Sequence, residues 1–236
     1  MSTPVVMCFG VLSYLQLLLV NHIAGRNDGT SIQEKYDSFG EDAAIVASML
    51  NSWSIPCSLL PSTLGKDEYG RKVAAIIKEQ GLDADLTFDP NIKTVFEISI
   101  ADNTGDRTYY YQRSLEAVAT LDRPDISILG KAGLLYVDWY DGDHILRPIE
   151  AAAGFGVPIF VNIEQQFDNH ELLKRLSPAS FCQVTLEDSQ TGAEMAEAAS
   201  RVLEAGIDTV LVTAGARGSL ASDGNKIIRV EAPKTV

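Results

Sequence analysis

Apolar residues along the chain follow two alternating rhythms. "EDAAIVASMLNSW" (41–53) spaces Ile45, Met49 and Trp53, with Val46 and Leu50 beside them, along one helical face. "DEYGRKVAAIIKEQG" (67–81) repeats the pattern with Tyr69, Val73, Ile76 and Ile77. Lys78 stands in its last turn and Gly81 is placed to end it. "LLYVDWY" (134–140), "VPIFVNI" (157–163) and "TVLVTA" (209–214) are short apolar runs with β-branched or aromatic content, and helical stretches over about 143–153 and 190–205 separate them. Strands apolar on both faces, with helices between, predict a parallel sheet covered on both sides. With right-handed crossovers this is a doubly wound α/β domain.

Two segments depart from that rhythm. "VVMCFGVLSYLQLLLV" (5–20) is sixteen residues without a charge. It is shorter than the ~20 residues a membrane helix needs, and no Lys or Arg precedes it as in a signal peptide. It reads as a buried first strand, Val5 to Phe9, then a glycine and further strand. "TVFEISIADNTGDRTYYYQRS" (94–114) alternates around a turn of Asp, Asn and Gly, with Phe96, Ile98 and Ile100 on one face and Val95, Glu97 and Ser99 on the other. That predicts a one-sided antiparallel hairpin, suited to a lid beside the parallel sheet. The expected organisation is one domain over 1–236, with a small antiparallel β lid from about 11–38 and 93–112 inserted in it.

Composition narrows the function. Nineteen basic residues against 32 acidic ones give a net charge of -13. A surface that acidic repels phosphate backbones and anionic membranes, so neither nucleic acid nor a membrane is the expected partner. A single nucleotide remains open, held by local backbone donors and magnesium. Cys8, Cys57 and Cys182 are odd in number and widely spaced, and His22, His144 and His170 lack ligand spacing. The expectation is reduced thiols in a cytoplasmic protein with no zinc site.

Several stretches, in order, carry a resemblance. "TLGKDEYGRKVAAIIKEQGLD" (63–83) looks like a Gly-Asp-Asp-x-x-Gly segment and its helix, and "TVFEISIADNTGDRTYYY" like a lid hairpin with a Gly-x-Arg-Thr turn. "VPIFVNIE" and "CQVTLEDSQTG" fall where a central strand and an Asn-x-x-Glu element belong. "VLVTAGARGSLASDG" (210–224) matches a strand ending in Thr-x-Gly followed by a small residue, Arg and Gly. Together these resemble the ribokinase-like (PfkB) carbohydrate kinases over nearly the whole chain.

The resemblance implies transfer of the γ-phosphoryl of Mg-ATP to a hydroxyl of a sugar or nucleoside-like acceptor. It assigns Thr213, Gly215, Arg217 and Gly218 to the ATP-site turn. In "TLED", Thr185 stands for the Asn, and Asp188 for the Glu that orients water on Mg2+. Asn162 and Glu164 are placed to line the same strand ends. On the acceptor side Gly40 survives from a Gly-Gly-x-x-x-Asn pattern with Ala44 in the Asn position, and Leu15 stands where a hydroxyl-binding Asp belongs. Glu41 and Asp42, if they face the acceptor, favour an uncharged or cationic one; otherwise they serve the start of the helix at 42.

After a strand like "RVEAPKTV" the family continues with Asp-Thr-x-Gly-Ala-Gly-Asp, the anion hole and catalytic base. The sequence stops at Val236, so the expectation is a chain cut before its catalytic residues and nearly inert alone. The alternative is a non-catalytic ligand-binding or interaction protein derived from such a kinase, favoured by Leu15, Ala44 and Thr185. "YDGDH" (140–144) reads as a turn and helix cap rather than a metal site. Tyr109 to Tyr111 read as alternating lid faces, and the open lid strands as a possible homodimer surface.

Overall fold

The computed structural model describes residues 5–186 and 192–233. The chain divides into two compact units, Cys8–Pro124 and Met1–Met7 with Asp125–Val236.

The first unit holds β1 (Val5–Gly10, from Cys8 onward), β2 (Ser13–Val20), β3 (Ile32–Gly40), α1 (Asp42–Ser52), β4 (Cys57–Pro61), β5 (Leu64–Gly65), α2 (Glu68–Glu79), β6 (Phe88–Asp89), β7 (Val95–Ala101), β8 (Arg107–Gln112) and α3 (Leu115–Ala119). The uncharged run 5–20 is two strands, as its length and the intervening Gly10 suggest. The lid segments form a four-stranded sheet in the order β3-β2-β7-β8. β2–β3 and β7–β8 are antiparallel, and the parallel β2–β7 pair joins the two hairpins.

Strand alternation gives this sheet two faces. On one, Tyr14 and Phe96 stack with Tyr69 of α2, the ring centroids lying 4.7–5.8 Å apart. The periodicity that placed Tyr69 with Val73 and Ile77 thus marks the packed face of α2, where Val73 and Ile77 are buried. α1 differs from its apolar pattern. Its buried residues are Ala43, Ala44 and Ala47, while Ile45, Met49 and Trp53 are 44%, 46% and 64% exposed. α1 lies against β3 and β4, and a methyl-lined face permits an approach that Ile or Trp would obstruct.

"GKDEYG" is a structural knot. Asp67 caps α2 by accepting from the Gly70 amide at 2.8 Å, and also accepts from the Thr94 hydroxyl at 2.8 Å and the Thr94 amide at 2.9 Å. A Cβ on Gly65 would stand 2.5 Å from the Ile92 carbonyl, and one on Gly70 2.2 Å from the Gly65 carbonyl. The Gly-x-Asp-x-x-Gly spacing therefore fixes the start of α2 against the entry to β7.

The second unit contains β9 (Ala132–Asp138), α4 (Leu146–Gly154), β10 (Ile159–Glu164), α5 (His170–Arg175), β11 (Phe181–Thr185), α6 (Gly192–Glu204), β12 (Thr209–Thr213), β13 (Ser219–Ser222) and β14 (Ile227–Val230). Its sheet runs β14-β13-β12-β11-β10-β9. β9 to β12 are all parallel, and β13 and β14 add an antiparallel meander. Leu135, Val137, Ile159, Val161, Val184, Val210 and Val212 are buried in it; β11 and β12 alternate buried with more exposed positions, whereas β9 and β10 carry continuous buried runs over Leu135–Asp138 and Val161–Ile163. The fold is thus the doubly wound α/β class with a mostly parallel sheet and a small lid-type sheet. Among the described residues no helix is long and apolar enough to cross a membrane.

Candidate functional site

In a parallel sheet, polar residues that end strands meet at the carboxyl edge, where ligands of open α/β sheets bind. In the second unit this edge carries Asp138 (β9), Asn162 and Glu164 (β10), Thr185 (β11) and Thr213 (β12). Register places Asn162 beside Asp138 and Thr185 beside Thr213. Asp138, only 3% exposed, accepts from the Asn162 side-chain amide at 3.1 Å and from the Tyr140 backbone N–H at 2.9 Å. The Tyr140 hydroxyl donates to Glu164 at 2.5 Å, and the Glu164 amide donates to Asn162 Oδ1 at 3.2 Å. β10 bulges between Asn162 and Glu164, and Glu164 takes φ 45. Positive φ is uncommon for a residue with a side chain and occurs at such edges when surrounding bonds over-determine it. Asn162 and Glu164 thus share one network with Asp138 and Tyr140, two residues that motif reading did not select. Their position after an apolar run was the available signal.

The Thr213 hydroxyl lies 3.3 Å from that of Thr185 and 3.4 Å from the Val184 carbonyl. The chain then turns tightly: the Arg217 amide bonds the Ala214 carbonyl, the Gly218 amide that of Gly215, and the Ala214 amide that of Gly218. Gly215 has φ 50 and Gly218 φ 83, and Gly215 and Ala216 are exposed at the apex. Gly218 is required by its neighbours, since a Cβ there would stand 2.0 Å from the Val230 carbonyl of β14. Arg217 is half-buried rather than extended into solvent.

Asp188 lies outside the described residues. Elsewhere among them no three His, Cys, Asp or Glu side chains converge as a metal site. In "YDGDH", Asp138 rather than Asp141 or Asp143 supplies the cap, Gly142 takes φ 60, and Asp143 pairs with Arg175 at 2.6 Å.

The residues that the resemblance assigns to the acceptor lie in the first unit. Gly40 ends β3 with no room for a side chain: a Cβ would meet Ser13 Oγ at 2.7 Å and Glu97 Oε2 at 2.8 Å. Glu41, with φ 73, makes no capping bond to α1; its carboxylate pairs with Arg113 Nη1 at 3.1 Å. Asp42 begins α1 and suits its dipole. Ala44 is completely buried, so the position where the family places an Asn is filled by core packing here. Glu97, which motif reading passed over, is half-buried beside Ser13 (3.5 Å). Burial, reinforced by Asp42, raises its pKa against the opposing effects of Ser13 and Arg113.

The scan of protein families matches residues 42–236 to the pfkB family carbohydrate kinases. No curated protein sequence matches the chain. Solved structures resemble it at low identity. Ribokinase from Giardia lamblia superposes with a TM-score of 0.81 at 14% identity, over 97% of this chain and 76% of that one. An Arabidopsis thaliana ribokinase complexed with ribose and ATP gives 0.72 at 17%, over 98% and 78%. A nucleoside kinase from Methanocaldococcus jannaschii gives 0.74 at 16%, over 99% and 79%. These likenesses establish the fold, and the family match covers most of the sequence: the chain belongs to the pfkB family of carbohydrate kinases.

Proposed function

We propose that the protein binds Mg-ATP through the turn after β12 and serves γ-phosphoryl transfer to a hydroxyl of a sugar or nucleoside-like acceptor. The observation that carries this reading is the turn itself. It sits at the carboxyl end of a parallel strand, with Gly215 at positive φ and exposed at the apex beside Ala216. Backbone donors at such a glycine turn suit a phosphate chain. Thr213 and Thr185 contribute hydroxyls at the same edge, and Arg217 carries positive charge on the turn.

Magnesium bound with a nucleotide needs only one or two carboxylates besides the phosphates. When bound it would neutralise charge on the phosphates. Asp188 is the residue proposed to hold it, and the network of Asp138, Asn162 and Glu164 keeps further oxygens at neighbouring strand ends.

Phosphoryl transfer also needs a group to accept the acceptor's proton and donors for the moving phosphoryl. The 236 residues contain no Asp-Thr-x-Gly-Ala-Gly-Asp sequence, so neither role is assigned to any of them. Calorimetric titration with Mg-ATP tests the reading: saturable heat at or below millimolar ligand is expected, and none would overturn it.

A second reading, a ligand-binding protein without catalysis, is favoured by Ala44, whose full burial leaves no polar group at a position the resemblance assigns to acceptor binding. Saturable sugar binding with no response to Mg-ATP would select it.

A further inference from the structure

The lid-type sheet has one face occupied by α2 through the Tyr14–Phe96–Tyr69 stack. Its opposite face follows from the register. One row across the sheet is Ser38, Leu15, Glu97 and Tyr111, and the next is Tyr36, Leu17, Ser99 and Tyr109. Within these rows Glu97 is the one carboxylate, half-buried amid apolar, aromatic and hydroxyl-bearing residues, with Asp42 and Arg113 near enough to act on its charge. A partly buried carboxylate is costly unless something repays its lost hydration.

Two local features hold it. Gly40 leaves the space in which Glu97 Oε2 and Ser13 Oγ sit, and any side chain at 40 would displace both. The nearby guanidinium, Arg113, is engaged with Glu41 at 3.1 Å. The Ser13 hydroxyl stands at 3.5 Å, the outer limit of a hydrogen bond. A carboxylate so placed retains capacity to accept hydrogen bonds from a ligand.

We propose that Glu97 determines acceptor choice: it accepts hydrogen bonds from hydroxyls of an uncharged polyol and excludes acceptors bearing a phosphate or carboxylate. This rests on the kinase reading above and deepens it. With Leu15 and Ala44 unable to bind hydroxyls, recognition moves from those two positions to a lid strand. Gly40 contributes by leaving room for the carboxylate, and Leu15, Leu17 and Tyr111 border it with apolar surface that suits a sugar ring or nucleoside base. A phosphate brought to Glu97 would meet the like charge of a half-buried carboxylate.

The test is calorimetric titration of the chain with D-ribose, D-fructose and inosine, and with ribose 5-phosphate and inosine monophosphate, for wild type, Glu97→Gln and Glu97→Ala. Thermal melts confirm that each variant folds. At least one of ribose and inosine is expected to bind, and its phosphate ester to bind the protein about tenfold or more weakly. Glu97→Ala is expected to lose about tenfold or more in neutral-probe affinity, the loss of a hydrogen bond to a charged group. Glu97→Gln, which removes the charge but keeps the size, is expected to narrow the discrimination against phosphate. The proposal is overturned if no neutral probe binds at about 50 mM, where even a millimolar affinity would register. Equal affinity of wild type and Glu97→Ala, or preference for a phosphate ester, overturns it too. The nucleotide reading fails separately: Glu97-dependent sugar binding without a Mg-ATP response would sink the kinase alone, and Mg-ATP binding without it would sink only the role of Glu97.

Discussion

Replacing Asp67 by Ala removes one carboxylate that makes three hydrogen bonds. The bond to the Gly70 amide is the cap of α2, and losing such a cap costs about 0.5–2 kcal/mol. The other two hold the amide and hydroxyl of Thr94, which is 5% exposed. Buried donors left without an acceptor cost about 1–3 kcal/mol each. Because the three bonds share one side chain their losses overlap, and a total of about 2–4 kcal/mol is expected. In a protein of this size that lowers the melting temperature by about 5–15 °C. Asp67→Asn keeps the Oδ1 acceptor but turns an amide NH2 toward the Thr94 N–H, and recovers only part of the loss.

The effect has a pH signature. Burial raises the Asp67 pKa, but the amides of Gly70 and Thr94, the Thr94 hydroxyl and the Arg71 charge outweigh it, so the net shift is downward from 3.8. A carboxyl with a depressed folded-state pKa stabilises fully above its unfolded value, and that stability disappears as pH falls through the folded value. Calorimetric melts should therefore show a wild-type-to-Asp67→Ala gap that is constant above about pH 5 and narrows with further acidification. A gap below about 1 °C at neutral pH, against the expected several degrees, would refute the argument. So would a gap that persists unchanged into acid.

Three further outcomes follow from the geometry. Gly218→Ala forces a Cβ to 2.0 Å from the Val230 carbonyl at φ 83, and should lose about 1–3 kcal/mol in urea unfolding from strain alone. Ala44→Asn, which restores the residue type the family pattern would have, places an amide where nothing is exposed. It should cost about 1–3 kcal/mol in the same assay without improving sugar affinity, since a buried amide lacks partners. Burial pushes the Cys8 and Cys182 thiols up to about 12, so iodoacetamide on native protein at pH 8 should leave both unmodified, read by peptide mass spectrometry. Their rapid alkylation would show that the strands carrying them open readily.

Local pattern was enough for the α/β class, the β7–β8 hairpin, the α2 face and the turn after β12, because strand and helix periods and glycine placement act within a few residues. It also determined where Asp67 and its two glycines stand, though not why. Which face of α1 is buried was beyond it: Ile45, Met49 and Trp53 have the right spacing, yet the alanine face packs, because the closeness of α1 to β4 decides. Glu97 was equally hidden, one carboxylate in an alternating strand. Its importance depends on pairing with Leu15, on space left by Gly40 forty residues after the chain begins, and on Arg113 being engaged with Glu41. Residues distant in sequence become neighbours only through sheet register, and that register is a property of the folded chain.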